Sequence, residues 1–220
     1  MELALDAAYM AHELRTPLAT QRALLELALG DPGVDVVAWR EIGEDVLGAC
    51  MQQERVLEAC LTLARSEGGP HGCEPVDLAS VAAAALRAHD LSGLERVIAL
   101  ESAWTTGDPD LVERLVANLV SNATRHNVGG GWIEVATRKE SGRAVLSVAN
   151  SGPPIPPAEL ERLFQPFQRL NTNPNGVGLG LAIVQAIADA HDATVTAKAR
   201  IGGGLEIDVT FPAFDRRERT

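Results

Sequence analysis

A histidine followed by an acid and, one helical turn later, by a threonine is the first arrangement in this sequence that could do chemistry. These residues are His12, Glu13 and Thr16, within residues 11–18. A neutral imidazole is a competent nucleophile near neutral pH, and Glu13 could accept its proton as a general base. Thr16 could present its hydroxyl to a water molecule that attacks a phosphorylated imidazole. The simpler alternative is a surface histidine in an ordinary helix.

Two asparagines, Asn118 and Asn122, lie four residues apart on one face of a predicted helix whose opposite face is apolar. Stacked carboxamides suit a hydrated Mg²⁺ ion and phosphate oxygens without adding net charge. Further along the same helix, Arg125 and His126 could contact phosphate or ribose. The asparagine pair could instead cap a neighbouring loop through hydrogen bonds.

A predicted strand closes at Asn150, and Gly152 belongs to the Gly/Pro turn that follows. The side-chain oxygen of Asn150 could accept a hydrogen bond from an exocyclic amine such as that of adenine. A plain turn without a ligand is the alternative.

Small residues open a predicted helix at Gly176, Gly178, Leu179 and Gly180. They let backbone N–H groups approach phosphate at the positive end of the helix dipole. The segment has neither the dinucleotide-binding fingerprint nor the Lys-Ser/Thr of a P-loop. Residues 171–175 are predicted to form a mobile lid ahead of it. Glycine-rich turns also occur without ligands.

The first part of the chain is predicted to form two long helices, Glu2–Leu29 and Val36–Arg65. A turn at Gly30–Gly33 joins them, and Asp35 is predicted to cap the second helix. A single hairpin cannot bury the long apolar seam of the second helix. The sequence therefore predicts a homodimer that forms a four-helix bundle through residues 1–66. The apolar positions of the first helix are Ala7, Ala11, Leu14, Leu18, Leu25 and Leu29, and those of the second are Trp39, Ile42, Val46, Ala49, Val56, Cys60 and Leu63, with Gln53 as a polar break. His12 falls about 100° around the helix from this stripe, where its ring should reach solvent.

After a predicted linker at residues 67–75, the pattern changes, and residues 76–214 are expected to form a second domain before a charged tail at 215–220. Helices and strands alternate irregularly there, which predicts an α/β sandwich with helices on one face of a mixed sheet. The predicted helices are Leu78–His89, Asp110–Asn127, Pro157–Phe164 and Gly180–His191. The predicted strands are Val97–Ala103, Trp132–Thr137, Ala144–Ala149, Thr194–Ala199 and Leu205–Phe211.

The net charge of −11 makes nucleic acid and anionic membrane surfaces poor partners, since an acidic surface repels phosphate. Three cysteines without metal-ligand spacing fit a reducing cytosol. No signal peptide and no apolar run of the ~18–20 residues that a membrane-spanning helix requires can be recognised, which predicts a soluble fragment.

Taken together and in this order, the segments resemble the sensor histidine kinases of two-component systems. The resemblance extends from about residue 7 to residue 212. The matching motifs are the phosphoacceptor box at residues 12–17, the N box at 115–123, the first glycine box at 150–155, the F box at 163–167 and the second glycine box at 176–181.

The resemblance implies a dimerisation and phosphotransfer hairpin followed by a Bergerat-type ATP-binding domain. It implies autophosphorylation from ATP and Mg²⁺, transfer to an aspartate of a response-regulator receiver domain, and a phosphatase activity. The expected location is cytoplasmic, as part of a membrane-bound sensor. The implied roles are phosphoacceptor for His12, neighbouring acid for Glu13, phosphatase residue for Thr16, ATP contact for Asn118, Mg²⁺ ligand for Asn122, and phosphate-and-lid loop for Gly176, Gly178 and Gly180.

The sequence departs from the family pattern at two positions. Asn150 stands where the family usually has an Asp that binds the adenine amine. An amide oxygen still accepts that hydrogen bond, at a loss of about 1 kcal/mol relative to a charged acceptor. Pro154 replaces a customary glycine and stiffens the turn. Both changes predict altered nucleotide binding.

Other functions remain open from the same residues. A serine-kinase anti-sigma factor is possible by fold, but it would have no need for the His12 hairpin. ATPases of the gyrase and chaperone type place a Glu base four residues before the metal-binding Asn. That position here is Asn118, and Glu113 lies on another helix face, so the sequence disfavours a plain ATPase. A degenerate ATP-binding scaffold that dimerises and regulates a partner is a further alternative, and the changes at Asn150 and Pro154 motivate it.

Overall fold

The computed structural model describes residues 2–30, 33, 35–67, 72–168 and 178–214. For residues 2–14, 16, 55, 63 and 67 it describes the helical backbone alone. The predicted tail at 215–220 lies outside the described residues. The chain divides into two compact units, the first of which extends to Leu61 and the second of which begins at Thr62.

The first unit contains the long helix α1 (Glu2–Gly30) and most of a second long helix, α2 (Val36–Glu67). Helix α1 continues through Pro17. Asp35 caps α2, because its Oδ1 accepts the backbone N–H of Ala38 at 2.8 Å, the bond that satisfies one of the unpaired N–H groups of a first helical turn. The sequence-based prediction of two helices and of this cap is therefore confirmed.

Helix α1 packs on α2 through a narrow face that has a polar side chain at its centre. Pro17, Gln21, Leu24 and Ala28 are its least exposed described positions, at spacings of three and four residues. The Gln21 Nε2 donates to Gln53 Oε1 at 3.2 Å and lies 3.4 Å from the Cys50 sulfur. The polar break in the apolar seam of α2 is thus paired with a buried polar partner in α1.

The leucines of the predicted α1 stripe remain exposed in the single chain. Leu18, Leu25 and Leu29 are 54%, 39% and 76% exposed. At 100° per residue they lie within about 40° of one another and about 90° around α1 from the face that meets α2. The hairpin therefore presents an apolar stripe next to its own internal seam. Within the described ranges, none of the helices combines the length and apolarity needed to cross a bilayer.

The second unit is built on a five-stranded mixed sheet with the strand order β2-β4-β5-β7-β6. A separate pair, β1 and β3, is antiparallel, and only the pairing of β2 with β4 is parallel within the larger sheet. The strands are β1 (Glu74–Asp77), β2 (Glu95–Leu100), β3 (Trp104–Gly107), β4 (Trp132–Glu140), β5 (Arg143–Asn150), β6 (Thr194–Ala199) and β7 (Leu205–Pro212).

Three helices, α3 (Leu78–Ala88), α4 (Pro109–Arg125) and α5 (Gly180–Ala190), cover one face of this sheet. Alternate residues of β4 and β7 are buried, which matches the period of two that a half-covered strand requires, whereas β5 between them is buried at most positions. The largest fully buried side chains of this core are Phe211, Leu78, Leu115, Leu119, Ile133, Leu146 and Ile187. The predicted α/β sandwich with a mixed sheet is confirmed.

The structure differs from the sequence-based expectation in a few elements. Strands β1 and β3 were not predicted, and β1 begins at Glu74, inside the predicted linker. Both strands have only four residues, too few for a periodic pattern to stand out. The predicted helix at Pro157–Phe164 is instead two short 3-10 turns, Pro157–Glu159 and Glu161–Phe164, and a segment of this length offers little room for an α-helix.

Candidate functional site

Helix α4 positions the two asparagines because it is strongly amphipathic. Its N-terminus is fixed by Asp108, whose Oδ1 accepts the backbone N–H of Asp110 at 3.0 Å, with Pro109 in the first helical position. Seven apolar residues of the helix are buried against the sheet and α5. Asn118 and Asn122 lie outside this apolar face and are half-buried.

Asn118 connects α4 to the start of α5. Its Nδ2 donates to the Arg114 carbonyl one turn earlier at 2.9 Å, so its Oδ1 is left pointing away from that bond. A Cβ added at Gly180 would lie 3.6 Å from this oxygen. The asparagine predicted to contact a nucleotide and the helix N-terminus predicted to contact phosphate are therefore neighbours.

The Asn122 carboxamide makes no hydrogen bond within the part of the chain that the structure describes. A half-buried amide without a protein partner retains its oxygen for an external ligand. Among the same residues there is no group of three or more His, Cys, Asp or Glu side chains suited to a metal ion. An amide oxygen such as that of Asn122 is among the oxygen ligands that hard divalent cations take.

His126 caps the C-terminus of α4, and its backbone N–H bonds to the Asn122 carbonyl at 3.0 Å. Desolvation of the imidazole, and secondarily the charge of Arg125, lowers the pKa of His126 below its ordinary value of 6.5. Both side chains are exposed at this end of the helix, where Arg125 supplies the positive charge.

Asn150 ends β5 and is only 4% exposed. Its backbone is held in the sheet opposite Ile133 of β4 and Leu205 of β7. The side-chain Nδ2 donates to the Ser151 carbonyl at 2.7 Å, whereas the Oδ1 accepts no hydrogen bond from the described residues and is not sealed from solvent. The amide thus offers an unused acceptor at the end of the strand.

The turn after Asn150 packs tightly against the end of α4. A Cβ at Gly152 would lie 2.7 Å from the His126 carbonyl oxygen, closer than real Cβ atoms approach, so this position requires glycine. Gly204 supports the turn from the other side by donating its N–H to the Pro153 carbonyl at 3.2 Å. Asn150 and Gly152 therefore lie beside the C-terminal end of α4, the helix that carries Asn122.

The glycine-rich segment enters α5 next to residue Phe167 of the preceding turns. Gly178 has φ +72°, and its carbonyl accepts the Phe167 N–H at 2.8 Å. A Cβ there would lie 2.9 Å from the Phe167 carbonyl carbon. Leu179 is buried and precedes α5 without a side-chain cap, so the first N–H groups of the helix, from Gly180 onward, lack intrahelical acceptors. Such a terminus attracts phosphate.

Four predicted site residues cannot be placed in the same detail. His12, Glu13 and Thr16 lie in the backbone of α1, but their side chains are outside the described part of the structure. Gly176 and the predicted lid at 171–175 lie outside the described residues altogether. The remaining predicted residues converge on one region, formed by the polar face of α4, the turn after β5 and the N-terminus of α5.

Several residues that shape this region escaped the sequence analysis. Asn127 and Ser151 hydrogen-bond to each other, although they are 24 residues apart, and no local pattern signals such a contact. Gly203 and Gly204 pack on the turn after β5 with φ +103° and +101°. The run Gly202–Gly204 was a visible signal, because consecutive glycines often mark backbone that side chains cannot adopt.

Comparisons with known proteins match both units to family models. Residues 7–69 match the His Kinase A (phospho-acceptor) domain. Residues 107–215 match the histidine kinase-, DNA gyrase B-, and HSP90-like ATPase domain. The two matches together include every predicted site residue and run in the order that the sequence predicted.

Individual proteins agree with the family models. Sensor protein CutS of Streptomyces coelicolor is 45% identical over 211 residues, which cover 92% of this chain and 51% of CutS. The NMR structure of the histidine kinase domain of the E. coli osmosensor EnvZ is 36% identical, with a TM-score of 0.51, and covers 67% of this chain and 92% of that domain.

A third protein, the histidine kinase AdeS of Acinetobacter baumannii, is 24% identical with a TM-score of 0.72, covers 93% of this chain and 98% of that one, and supports the fold. The chain spans about half the length of the curated relatives that it matches. The chain has a phospho-acceptor helix pair followed by an ATPase-type sandwich, and both match family models and known sensor kinases. It therefore belongs to the two-component sensor histidine kinases and comprises their catalytic core.

Proposed function

We propose that this chain binds ATP with Mg²⁺ in the second unit and transfers the γ-phosphoryl group to His12 of the first. The observation that carries the proposal is the convergence of unused polar groups in the second unit. They are the Asn122 carboxamide, the Asn150 oxygen and the uncapped N-terminus of α5. An ATP molecule presents complementary groups, namely a hydrated metal, an adenine amine and a triphosphate.

Each end of the nucleotide has a matching element. The Asn150 Oδ1 accepts from the adenine amine, and Asn118 lies between base and phosphates because it neighbours Gly180. The N–H groups at the start of α5, together with the loop that includes Gly176 and Gly178, bind the phosphates. Arg125 and His126 contact phosphate or ribose at the end of α4. The small residues leave room for close approach of the backbone.

Asn122 is the residue that holds the metal, through its amide oxygen. When bound, Mg²⁺ would supply positive charge beside the triphosphate. The protein supplies position and electrostatics, and the only covalent bond to the chain is made by the first unit.

The transfer is a single displacement at phosphorus. A nitrogen of the neutral His12 imidazole forms a bond to the γ-phosphorus, and the bond from that phosphorus to the bridging oxygen breaks, which releases ADP. The other ring nitrogen loses its proton to Glu13, which keeps the phosphorylated ring neutral.

The active form is a homodimer through residues 1–66. The exposed stripe of Leu18, Leu25 and Leu29 supports this proposal, because an apolar stripe beside the internal seam of a hairpin is buried when a second hairpin pairs with it. Leu25→Glu should convert the dimer to a monomer in light scattering. Leu27→Glu is the matched control, since Leu27 is 72% exposed on the opposite side of α1, and it should leave the dimer intact.

The phosphoryl group then passes to an aspartate of a response-regulator receiver domain. The first unit of this chain also promotes removal of the phosphoryl group from that aspartate. Thr16, one helical turn after His12, orients the water that attacks the phosphorylated regulator. Thr16→Ala should therefore spare autophosphorylation and slow dephosphorylation of the regulator at least about tenfold. Unchanged dephosphorylation would show that Thr16 is only a helix residue.

The test of the proposal is ATP-dependent labelling of the full chain. Incubation with γ-labelled ATP and Mg²⁺ should label the wild-type chain, and Asn122→Ala should reduce labelling at least about a hundredfold while leaving the dimer intact. Ser121→Ala is the control, since it changes a half-buried neighbour of Asn122 on α4, and it should label like the wild type. Equal labelling of wild type and Asn122→Ala would refute the metal role of Asn122.

A further inference from the structure

An asparagine that reads a purine poses a problem that an aspartate does not. The two ends of an amide have opposite hydrogen-bonding character, since the oxygen accepts and the nitrogen donates. The oxygen suits the 6-amino group of adenine, whereas the nitrogen suits the 6-oxo group of guanine. Unless the orientation of the Asn150 amide is fixed, this residue does not discriminate between the two bases.

The structure fixes that orientation through Ser151. The Asn150 Nδ2 lies 2.7 Å from the Ser151 carbonyl oxygen, and a carbonyl can only accept, so the nitrogen must occupy this side. Turning the amide over would place two acceptors in contact. The Oδ1 is consequently the end that remains for a ligand.

Ser151 is itself held on two sides. Its backbone N–H donates to the Trp132 carbonyl at 3.1 Å, and its Oγ accepts the Trp132 N–H at 2.8 Å. The same hydroxyl donates to the Asn127 Oδ1 at 2.6 Å. A Cβ at Gly131 would collide with both the Asn127 oxygen and the Ser151 hydroxyl, so the close approach of these two groups requires glycine at position 131.

Asn127 has every polar atom of its side chain engaged. Its Nδ2 donates to the Ala123 carbonyl at 3.1 Å and to the Trp132 carbonyl at 2.9 Å. Its Oδ1 accepts from Ser151 and from the Val128 N–H at 2.9 Å. It therefore ties the end of α4, the start of β4 and the turn after β5 together at one point.

We propose that Ser151 and Asn127 are positioning residues that hold the Asn150 amide with its oxygen toward the base and thereby make the site selective for adenine over guanine nucleotides. The inference rests on the proposed function, because it concerns the base end of the same nucleotide site. It assigns to hydrogen bonds around Asn150 the selectivity that a carboxylate would supply by its charge and symmetry.

The test is the ratio of the GTP and ATP dissociation constants, measured by equilibrium dialysis of each labelled nucleotide with Mg²⁺ against the full chain. Wild type should prefer ATP at least about thirtyfold. Ser151→Ala, which removes the hydroxyl, should lower the ratio of the GTP to the ATP dissociation constant at least about fivefold. Asn127→Ala should lower this ratio independently. Ser151→Thr keeps the hydroxyl and should hold the ratio within about twofold of wild type.

A second background separates positioning from general damage. In the Asn150→Asp background, the two oxygens of the side chain are equivalent, so Ser151→Ala should leave the ratio within about twofold. Equal loss of affinity for both nucleotides in Ser151→Ala, or the same narrowing in the Asn150→Asp background, would overturn the inference. A wild type that binds both nucleotides equally would overturn it while leaving the proposed function standing. A wild type that binds neither would overturn both.

Discussion

His191 accepts a hydrogen bond from the backbone N–H of Asp108, with 3.0 Å between its Nε2 and that nitrogen. Its Nδ1 lies 2.7 Å from the Ile187 carbonyl, so the ring is neutral, with the proton on Nδ1. Asp108 in turn caps α4. The buried imidazole thus links the end of α5 to the start of the helix that carries Asn118 and Asn122.

His191→Ala should lower the free energy of unfolding of the second unit by about 3 kcal/mol, since it leaves a cavity beside Phe211 and an unpaired Asp108 N–H. His89→Ala is the matched control, because His89 also contacts a carbonyl four residues earlier but is only half-buried at the end of α3. Its cost should be about 1 kcal/mol or less. Equal shifts of the urea midpoint in the two variants would refute the structural role of His191.

Gly178→Ala should raise the KM for ATP at least about tenfold, because a methyl group there collides with the Phe167 backbone and displaces the entry into α5 that is proposed to bind phosphate. The control is Gly142→Ala in the hairpin between β4 and β5. Gly142 has a similar φ of +75°, with open space around its Cα. Both variants carry about 1 kcal/mol of backbone strain, but only Gly178→Ala should change the KM in a labelling assay. A changed KM in both would point to strain alone.

Gly204→Ala should destabilise the second unit by at least about 2 kcal/mol and also weaken ATP binding. Its Cβ would collide with the Asn150 carbonyl oxygen and push the turn after β5 out of place. Gly202→Ala is the control, since Gly202 has φ +93° but no atom within 4 Å of the added Cβ. It should cost about 1 kcal/mol in thermal or urea unfolding and leave the dissociation constant for ATP unchanged. Normal ATP binding by Gly204→Ala would contradict the proposed contact between Asn150 and the adenine base.

The imidazole of His126 should titrate below about pH 6.5 in NMR spectra of the nucleotide-free chain. Arg125→Gln should raise its pKa only part of the way, because desolvation is the larger cause and the Arg125 charge the smaller. Since the folded-state pKa is lowered, the unfolded chain binds more protons between the two pKa values. The free energy of unfolding should therefore rise with pH through that window and level off above about pH 6.5. A His126 pKa at or above the ordinary value would contradict this account.

The regular elements of this fold could be predicted because their patterns are local. An apolar face with two asparagines on the opposite side predicts helix α4, and β6 was predicted at its observed bounds, Thr194–Ala199. The short strands β1 and β3 could not be predicted, since their pairing depends on contacts about thirty residues away in the chain.

In the candidate site, too, residues with a local signal could be predicted and contacts between distant residues could not. Asn150 and Gly180 were predicted from residue type and position at the end of a strand and the start of a helix. The bond between Ser151 and Asn127 could not be predicted, because two isolated polar residues become partners only when α4 and β5 pack side by side. His191 was placed at the end of a helix, but its contact with Asp108 spans 83 residues and has no local signal.

Identification of the phosphorylated residue tests the central claim most directly. The full chain and His12→Gln should be incubated with γ-labelled ATP and Mg²⁺, and the labelled protein then exposed separately to acid and to base. A phosphoimidazole is lost in acid and kept in base, so the wild-type label should behave in this way and His12→Gln should carry none. A label of undiminished intensity on His12→Gln, or one that survives acid, would contradict transfer to this histidine.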